Sequence, residues 1–319
     1  YFLFTANDLE MSPQIRPLTP ELQKVAKEQL KEDPERLEAD LQAFKTWIEQ
    51  QPHLNPRMDD QFLVAFLRGC KYSLERAKSK LDKYYTLKTK YPDYFRVTNT
   101  TDSKFREIHQ TGAIIYLPTP LNENGPRIGI WRMGLVPVEK YTMLECMQVA
   151  QAMQEIAILE DDYANVNGVV FIMDMKGATA AHLFQMTPSM AKKFTVFSEE
   201  ALPLRLKAQH FINTITGFEQ LFNMFKPMMS KKMQSRLFVH GNKMGLLTEQ
   251  IPLKYLPEEY GGENGTTQDI VAAMEKKLDE YADFFQENVN FGTDESLRPG
   301  KPIDFEGLFG VEGSFRKLN

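Results

Sequence analysis

The chain has 319 residues, 42% hydrophobic and 25% charged, enough for a sizeable core in one large domain or a small domain beside a larger one. Its net charge of −5 argues against a general nucleic-acid binder, which carries a basic surplus. Only Cys70 and Cys146 are present, so no disulfide framework is expected and a reducing cytoplasm is the natural compartment. The longest apolar run, around 168–173, is far below the roughly 20 residues that a membrane-spanning helix needs.

Tyr1–Leu3 open an apolar stretch with no basic region before it and no small-residue cleavage pattern after it, so no signal peptide is expected. Residues 1–18 read as an N-terminal extension, with Met11 as a native start and residues 1–10 as an addition before it. From 19 to 100 the pattern predicts a small helical module. Pro34 opens one helix, and Leu37, Leu41, Phe44 and Ile48 follow at helical spacing until Pro52 stops it. Phe62, Leu63, Phe66 and Leu67 mark a second helix. A third, with Ser73 as its cap, carries Leu74, Ala77, Leu81, Tyr84, Tyr85 and Leu87 before Tyr91 and Pro92.

The period changes near residue 112. Short β-rich runs at 113–117, 127–133, 169–173, 207–212 and 237–239 alternate with helical segments at 138–163, 187–200 and 217–229. That alternation predicts an α/β domain over 101–288 with a mostly parallel sheet. A last helix, 267–287, follows the turn-forming Gly261, Gly262 and Gly265. Residues 289–319, rich in Gly and charge, read as a tail over the surface.

Catalytic signatures are missing. There is no GxSxG elbow, no P-loop and no GxGxxG opening a helix after a strand. The five histidines, His53, His109, His182, His210 and His240, fall into no metal-binding spacing. Asp174 ends a hydrophobic strand, where an α/β enzyme places a carboxylate, but no catalytic motif surrounds it. The expectation is a protein that is not an enzyme, with no catalytic residue, metal or cofactor.

The segment 192–243 behaves differently from the rest. It carries nine basic residues (Lys192, Lys193, Arg205, Lys207, Lys226, Lys231, Lys232, Arg236, Lys243) against three acids, Glu199, Glu200 and Glu219. Arg205 and Lys207, two apart on a strand, point to one face, while Leu206, Ala208, His210 and Ile212 point to the other. Lys232 and Arg236, four apart, share a helix face. Four converging cations make either a dock for a multiply charged phosphate or a solvated basic face. Between the two pairs, Phe218, Leu221, Phe222, Phe225, Met228 and Met229 form an apolar stripe at helical period, with Glu219, Gln220, Asn223 and Lys226 opposite and Pro227 as a kink or stop. Such a stripe packs on a core or closes a movable lid over an apolar cavity, and the neighbouring cations favour the lid. The 16 methionines serve as ordinary core filling or as an adaptable ligand surface.

The runs Leu202–Asn213, Phe225-Lys-Pro227, Leu237-Phe-Val-His-Gly241 and Leu256-Pro-Glu-Glu-Tyr-Gly-Gly262, with Phe184-Gln-Met-Thr-Pro-Ser189, resemble the CRAL-TRIO (Sec14-like) family in order and spacing. Phe66-Leu-Arg-Gly-Cys-Lys-Tyr72 resembles the family's N-terminal helical module. The closest branch is that of the α-tocopherol transfer and retinaldehyde-binding proteins, in an arthropod-like version. The resemblance implies a helical module followed by an α/β lipid-binding domain, with an apolar cavity closed by a gate helix. It also implies a monomeric, cytoplasmic carrier, peripherally and reversibly membrane-associated, that moves one small tocopherol-like, retinoid-like or other isoprenoid lipid between membranes. No nucleic acid enters that reading. By position, phosphoinositide contacts fall on Arg205, Lys207, Lys232 and Arg236, and pocket walls on Gln151, Glu155, Met173, Ala178, Phe197, Leu202 and Leu204. The gate falls on about 213–236, with Phe218, Leu221, Phe222, Met224 and Phe225 as gate residues. Met173 stands where the retinaldehyde binder has an acid, Ala178 where the tocopherol protein has a tryptophan, and Glu155 where it has a serine. A carboxylate facing an apolar cavity is costly unless paired or protonated, so either the ligand brings a hydroxyl to Glu155 or the side chain points elsewhere. A lipid sensor or scaffold that binds without transferring is the alternative function, and an enzyme working through Asp174 or Glu155 a more remote one.

Overall fold

The computed structural model describes residues 15–304, and the readings made above for 1–14 and 305–319 lie outside the described residues. An N-terminal helical region runs through α1 (Pro20–Val25, prolonged by a π-helical turn), α2 (Leu37–Glu49), α3 (Asp60–Gly69), α4 (Leu74–Lys90), α5 (Pro92–Phe95) and α6 (Ser103–Gln110). Between α2 and α3 lies the two-residue strand β1 (Leu54–Asn55). The mixed region follows as β2 (Ile114–Tyr116), β3 (Arg127–Arg132), α7 (Met143–Glu160), α8 (Asp162–Asn167), β4 (Val169–Asp174), α9 (Ala180–Phe184), α10 (Pro188–Val196) and β5 (Leu206–Ile212). Next come α11 (Phe218–Phe225), α12 (Lys231–Gln234), β6 (Leu237–Gly241), α13 (Met244–Thr248), α14 (Thr267–Glu280), α15 (Ala282–Glu287) and β7 (Gly292–Thr293).

The main sheet has the order β2-β3-β4-β5-β6, antiparallel at β2–β3 and parallel from β3 to β6. Its strands match the β-rich runs of the sequence. One face carries Ile128, Ile130, Val170, Ile172 and Ile212 under α13 and α14; the other carries Trp131, Phe171, Met173 and Phe211 toward α7 and α11. The predicted 138–163 helix starts later, at Met143, because Thr142 and Glu145 form a reciprocal capping box there. The tail does more than cover the surface. β7 pairs antiparallel with β1, and Arg298 grips Asp82 through Nη1 (2.6 Å) and Nη2 (2.8 Å).

The N-terminal helices and the helices beside the sheet share one core. Phe62, Phe66, Tyr84, Phe95 and Phe197 belong to a single buried cluster, and Phe95 stacks on Phe197 at 4.3 Å. A buried ion pair crosses the same junction. Lys88 Nζ of α4 donates to Glu155 Oε1 of α7 at 2.6 Å and to the Tyr84 hydroxyl at 3.0 Å, while Asn288 Nδ2 donates to Glu155 Oε2 at 3.0 Å. Burial lowers the Lys88 pKa, opposed by the charge of Glu155. Removing one partner of such a pair strands the other: Glu155→Ala should cost about 3–5 kcal/mol in urea unfolding, whereas Lys88→Met with Glu155→Leu should cost far less. Equal losses in the single and double variants would contradict a compensated pair.

Candidate functional site

A cavity of about 330 Å3 opens on the α7 side of the sheet. Trp131, Phe171, Met173 and Phe211 of the strands form its floor; Gln151 and Gln154 of α7, Phe194 and Thr195 of α10, and Phe197 and Leu202 beyond form walls. Over it lies α11, with Phe218, Leu221, Phe222 and Phe225 lining the space. Two aromatic contacts hold this helix to β5, Phe211–Phe218 at 5.1 Å and Phe211–Phe222 at 5.4 Å between centroids, and Phe218 and Phe222 of α11 pack on each other at 5.7 Å. Each such pair contributes about 0.5–1.5 kcal/mol beyond area burial. The helix springs from left-handed backbone at Asn213 (φ 50°) and Gly217 (φ 90°), the second favouring a residue without Cβ, and ends near Pro227 in a 3₁₀ turn. The Met228 side chain lies outside the described ones.

Among the described residues, no Asp, Glu, Lys or Arg lines the cavity. His182 does, but both ring nitrogens are engaged: Nδ1 accepts from the Thr179 N–H at 3.0 Å and Nε2 donates to the Val136 carbonyl at 3.0 Å. Gln151, Gln154, Ser198 and Gln209 also line it, and among the described residues their side chains make no hydrogen bond within the protein. The walls are thus apolar with a few neutral donors and acceptors to spare, the composition of a site for a mostly apolar molecule with a polar uncharged group. Lys80 braces one wall from α4, donating to the Glu199 and Leu202 carbonyls at 2.9 and 3.0 Å.

Of the pocket residues expected from the resemblance, Gln151, Met173, Phe197 and Leu202 line this cavity. Three do not. Glu155 is turned away and paired with Lys88 and Asn288, so its carboxylate meets no ligand. Leu204 is buried in the core shared with the helical module, and Ala178 packs on the cavity-side core without reaching the cavity. Of the gate residues, Met224 is corrected: it is 47% exposed, on the outer face of α11. Asp174 is absorbed structurally, accepting from Tyr260 Oη (2.5 Å), Asn213 Nδ2 (2.8 Å) and the Lys176 N–H (2.9 Å).

The face assignment on β5 also changes. The ladder to β4 slips at Lys207, so Leu206 and Ala208 oppose consecutive residues Val169 and Val170. The bulge turns Leu206 into the cavity, with Gln209 and Phe211, and leaves His210 and Ile212 on the far face. α12 ends at Gln234, so Arg236 stands beyond the helix, its guanidinium donating to the Leu206 carbonyl. Arg205 donates to the Val166 carbonyl, and its Nε is buried without a partner. Burial and the charge of Arg236 lower Arg205 from its ordinary pKa; Lys207 is lowered by burial, then by Arg205, Arg236, Lys71 and Lys232; Lys232 by burial, then by Arg236, Arg76, Lys71 and Arg205. The four expected cations therefore stand within range of one another, and two more, Lys71 and Arg76 of the helical module, join them. Contact makes that possible: a Cβ on Gly69 at the end of α3 would sit 2.3 Å from the Pro203 carbonyl oxygen, so only glycine lets α3 approach the start of β5. The turn that follows, with Lys71 and Tyr72 both left-handed, carries Lys71 to the cluster. Among the described residues none of the six has a carboxylate partner at salt-bridge distance, which sets this patch apart from the paired surface elsewhere.

β5 and β6, the strands before α11 and after α12, are joined on the far face by His210 and His240. Their rings stack at 5.2 Å, with Nδ1 of His210 2.9 Å from Nε2 of His240. Burial, then the neighbouring His240, pushes His210 down to about 4, and burial lowers His240. A histidine depressed in the folded state adds stability that is fully present above its ordinary value near 6.5 and is lost as pH falls toward 4. Urea midpoints should fall over that window, and less steeply in His210→Gln; an unchanged slope in the variant would contradict the pair's role.

Residues 110–262 match the CRAL/TRIO domain, and 33–105 match the Pinta-like UBA domain. The chain is 29% identical over 265 residues to the alpha-tocopherol transfer protein-like protein of Mus musculus, covering 81% of this chain and 76% of that one. It is 28% identical over 246 residues to Clavesin-2 of Rattus norvegicus, with 77% and 75% covered. Among solved structures, that of Sfh5 covers 83% of this chain and 100% of its own at 12% identity and a TM-score of 0.46. The chain thus carries a CRAL/TRIO domain behind a helical N-terminal region and has relatives of these names, consistent with the Sec14-like CRAL-TRIO family.

Proposed function

We propose that the protein carries one small neutral lipid between membranes, and that the cation cluster recognises a phosphoinositide headgroup whose binding favours an open gate. The observation that carries the reading is the cavity itself: apolar walls, no charged lining residue, and four neutral polar side chains with hydrogen-bonding capacity to spare. A fatty acid or a phospholipid headgroup inside it would place a charge in apolar surroundings with nothing to compensate it. An isoprenoid alcohol or phenol leaves no such charge. At about 25 cal/mol per Å2, burial of the lipid's apolar surface keeps the closed complex stable in water. A transfer role agrees with the name of the Mus musculus relative, alpha-tocopherol transfer protein-like. The reading assigns no catalytic step, and the hydrogen bonds that occupy Asp174 and Glu155 support that.

Delivery requires α11 to leave the cavity mouth. Its Phe/Leu face then meets the bilayer, and two apolar side chains already point outward from cavity-walling segments: Met224 on α11 and Phe184, 83% exposed, at the end of α9. No helix among the described residues is long and apolar enough to cross a membrane, so the attachment proposed is peripheral. The cations flank the gate on its β5 and α12 sides, where a multiply charged headgroup would hold the segment after α11 away from the cavity.

The test is transfer of a fluorescent neutral lipid between vesicles with and without phosphatylinositol bisphosphate. Lys232→Glu and Arg236→Glu should slow delivery to the phosphoinositide vesicles about tenfold or more while ligand affinity stays within about twofold. Equal loss of affinity and delivery would sink the division of labour, and tight binding without transfer would favour a sensor. Phe184→Ser should weaken vesicle attachment without changing ligand affinity, read by co-sedimentation.

A further inference from the structure

Among the described residues, eight methionines line one cavity. Six stand on fixed walls, from Met133 after β3 to Met186 after α9, and two, Met229 and Met233, on the segment that follows the gate helix. Thioethers suit an adaptable wall, but they are also the cavity's most readily oxidised groups, since neither Cys70 nor Cys146 lines it. With no charge and few hydrogen-bonding groups in the walls, an apolar molecule is admitted far more readily than a polar oxidant.

We propose that the cavity methionines are an oxidation site for hydroperoxides, above all apolar ones that enter as the ligand does, and that the sulfoxides formed make the cavity release its neutral lipid. In the step itself a thioether sulfur attacks the terminal peroxide oxygen. The S–O bond forms as the O–O bond breaks, the proton passes to the departing oxygen, and the products are methionine sulfoxide and an alcohol, or water from hydrogen peroxide. Sulfur loses two electrons and the peroxide gains them, so no further reactant is needed. Each sulfoxide sets a strong dipole into an apolar wall and lengthens the side chain by one oxygen. A lipid that fitted the thioether wall then loses contacts and strands the new acceptor. The change is reversible, because methionine sulfoxide reductases restore the thioether.

This inference rests on the neutral-lipid reading of the cavity, and the experiment separates the two. The purified protein is treated with cumene hydroperoxide or with hydrogen peroxide, with a metal chelator present, and sulfoxide is mapped by peptide mass spectrometry. Exposed Met58 and Met224, 38% and 47% accessible and outside the cavity, are the internal references. Nile red, a neutral apolar dye, reports on the cavity before and after treatment. With cumene hydroperoxide, oxidation of the cavity methionines should outrun that of Met58 and Met224, and Nile red should compete with it. With hydrogen peroxide the order should reverse. Nile red affinity should fall about tenfold or more after cumene hydroperoxide and return after reductase treatment. The variant carrying Met147→Leu, Met173→Leu, Met229→Leu and Met233→Leu, which nearly conserves volume, should keep most of its dye affinity through the same treatment. Oxidation by cumene hydroperoxide at Met58 and Met224 first, or full oxidation of the cavity with unchanged Nile red affinity, would overturn the inference. Failure of the untreated protein to take up Nile red would instead overturn the cavity reading on which it rests.

Discussion

Most of what is distinctive here follows from one constraint, a region of the interior that the protein's own side chains do not fill. Interiors are packed as densely as organic crystals, and unfilled volume forgoes dispersion contacts on every wall. A bound apolar molecule restores those contacts, so ligand binding and fold stability are the same free energy seen from two sides. The helix over the cavity, α11, is subject to the same balance. Its hold on β5 is two aromatic contacts rather than a hydrogen-bonded ladder.

Charge is arranged around that space in two opposite ways. In the helical module and at its junction with α7 it is compensated: Lys88, Glu155 and Asn288 close a network, and Arg68 is gripped bidentately by Glu32 at 2.8 and 3.0 Å. Around β5 and α12 six cations have no carboxylate partner among the described residues, Lys71, Arg76, Arg205, Lys207, Lys232 and Arg236. Like charges held together disfavour the folded state unless an anion joins them, so the cluster is the feature most readily stabilised by a polyphosphate. Its two halves come from parts of the chain separated by more than a hundred residues, joined by the close approach of Gly69 to Pro203.

The sequence made the strands and long helices legible because each keeps one period over its length. Runs such as 169–173 and the stripe from Phe218 to Phe225 need no tertiary information to be recognised. Elements set by distant partners were not legible. β1 and β7 are two residues each and exist only because they meet across most of the chain. The bulge at Lys207 depends on the register with β4, so alternation alone put Leu206 on the wrong face. Glu155 fell on a pocket wall only through the resemblance, with a side chain pointing elsewhere as the alternative; what decides between them, its partner Lys88, lies 67 residues away. Lys71 and Arg76 went unnoticed for the same reason, although a glycine closing a helix just before a lysine was a signal of close approach. The cavity walls were read in part: periodicity marks apolar faces, but it does not say which of them meet another side chain and which meet a ligand.

The measurement that bears most directly on the central claim is native mass spectrometry of the purified protein, with its organic extract analysed in parallel. The account predicts one uncharged lipid per chain, of a size the cavity accepts and with at least one hydroxyl or carbonyl. An anionic lipid in the cavity, or a protein that neither retains nor takes up any neutral lipid, would contradict it.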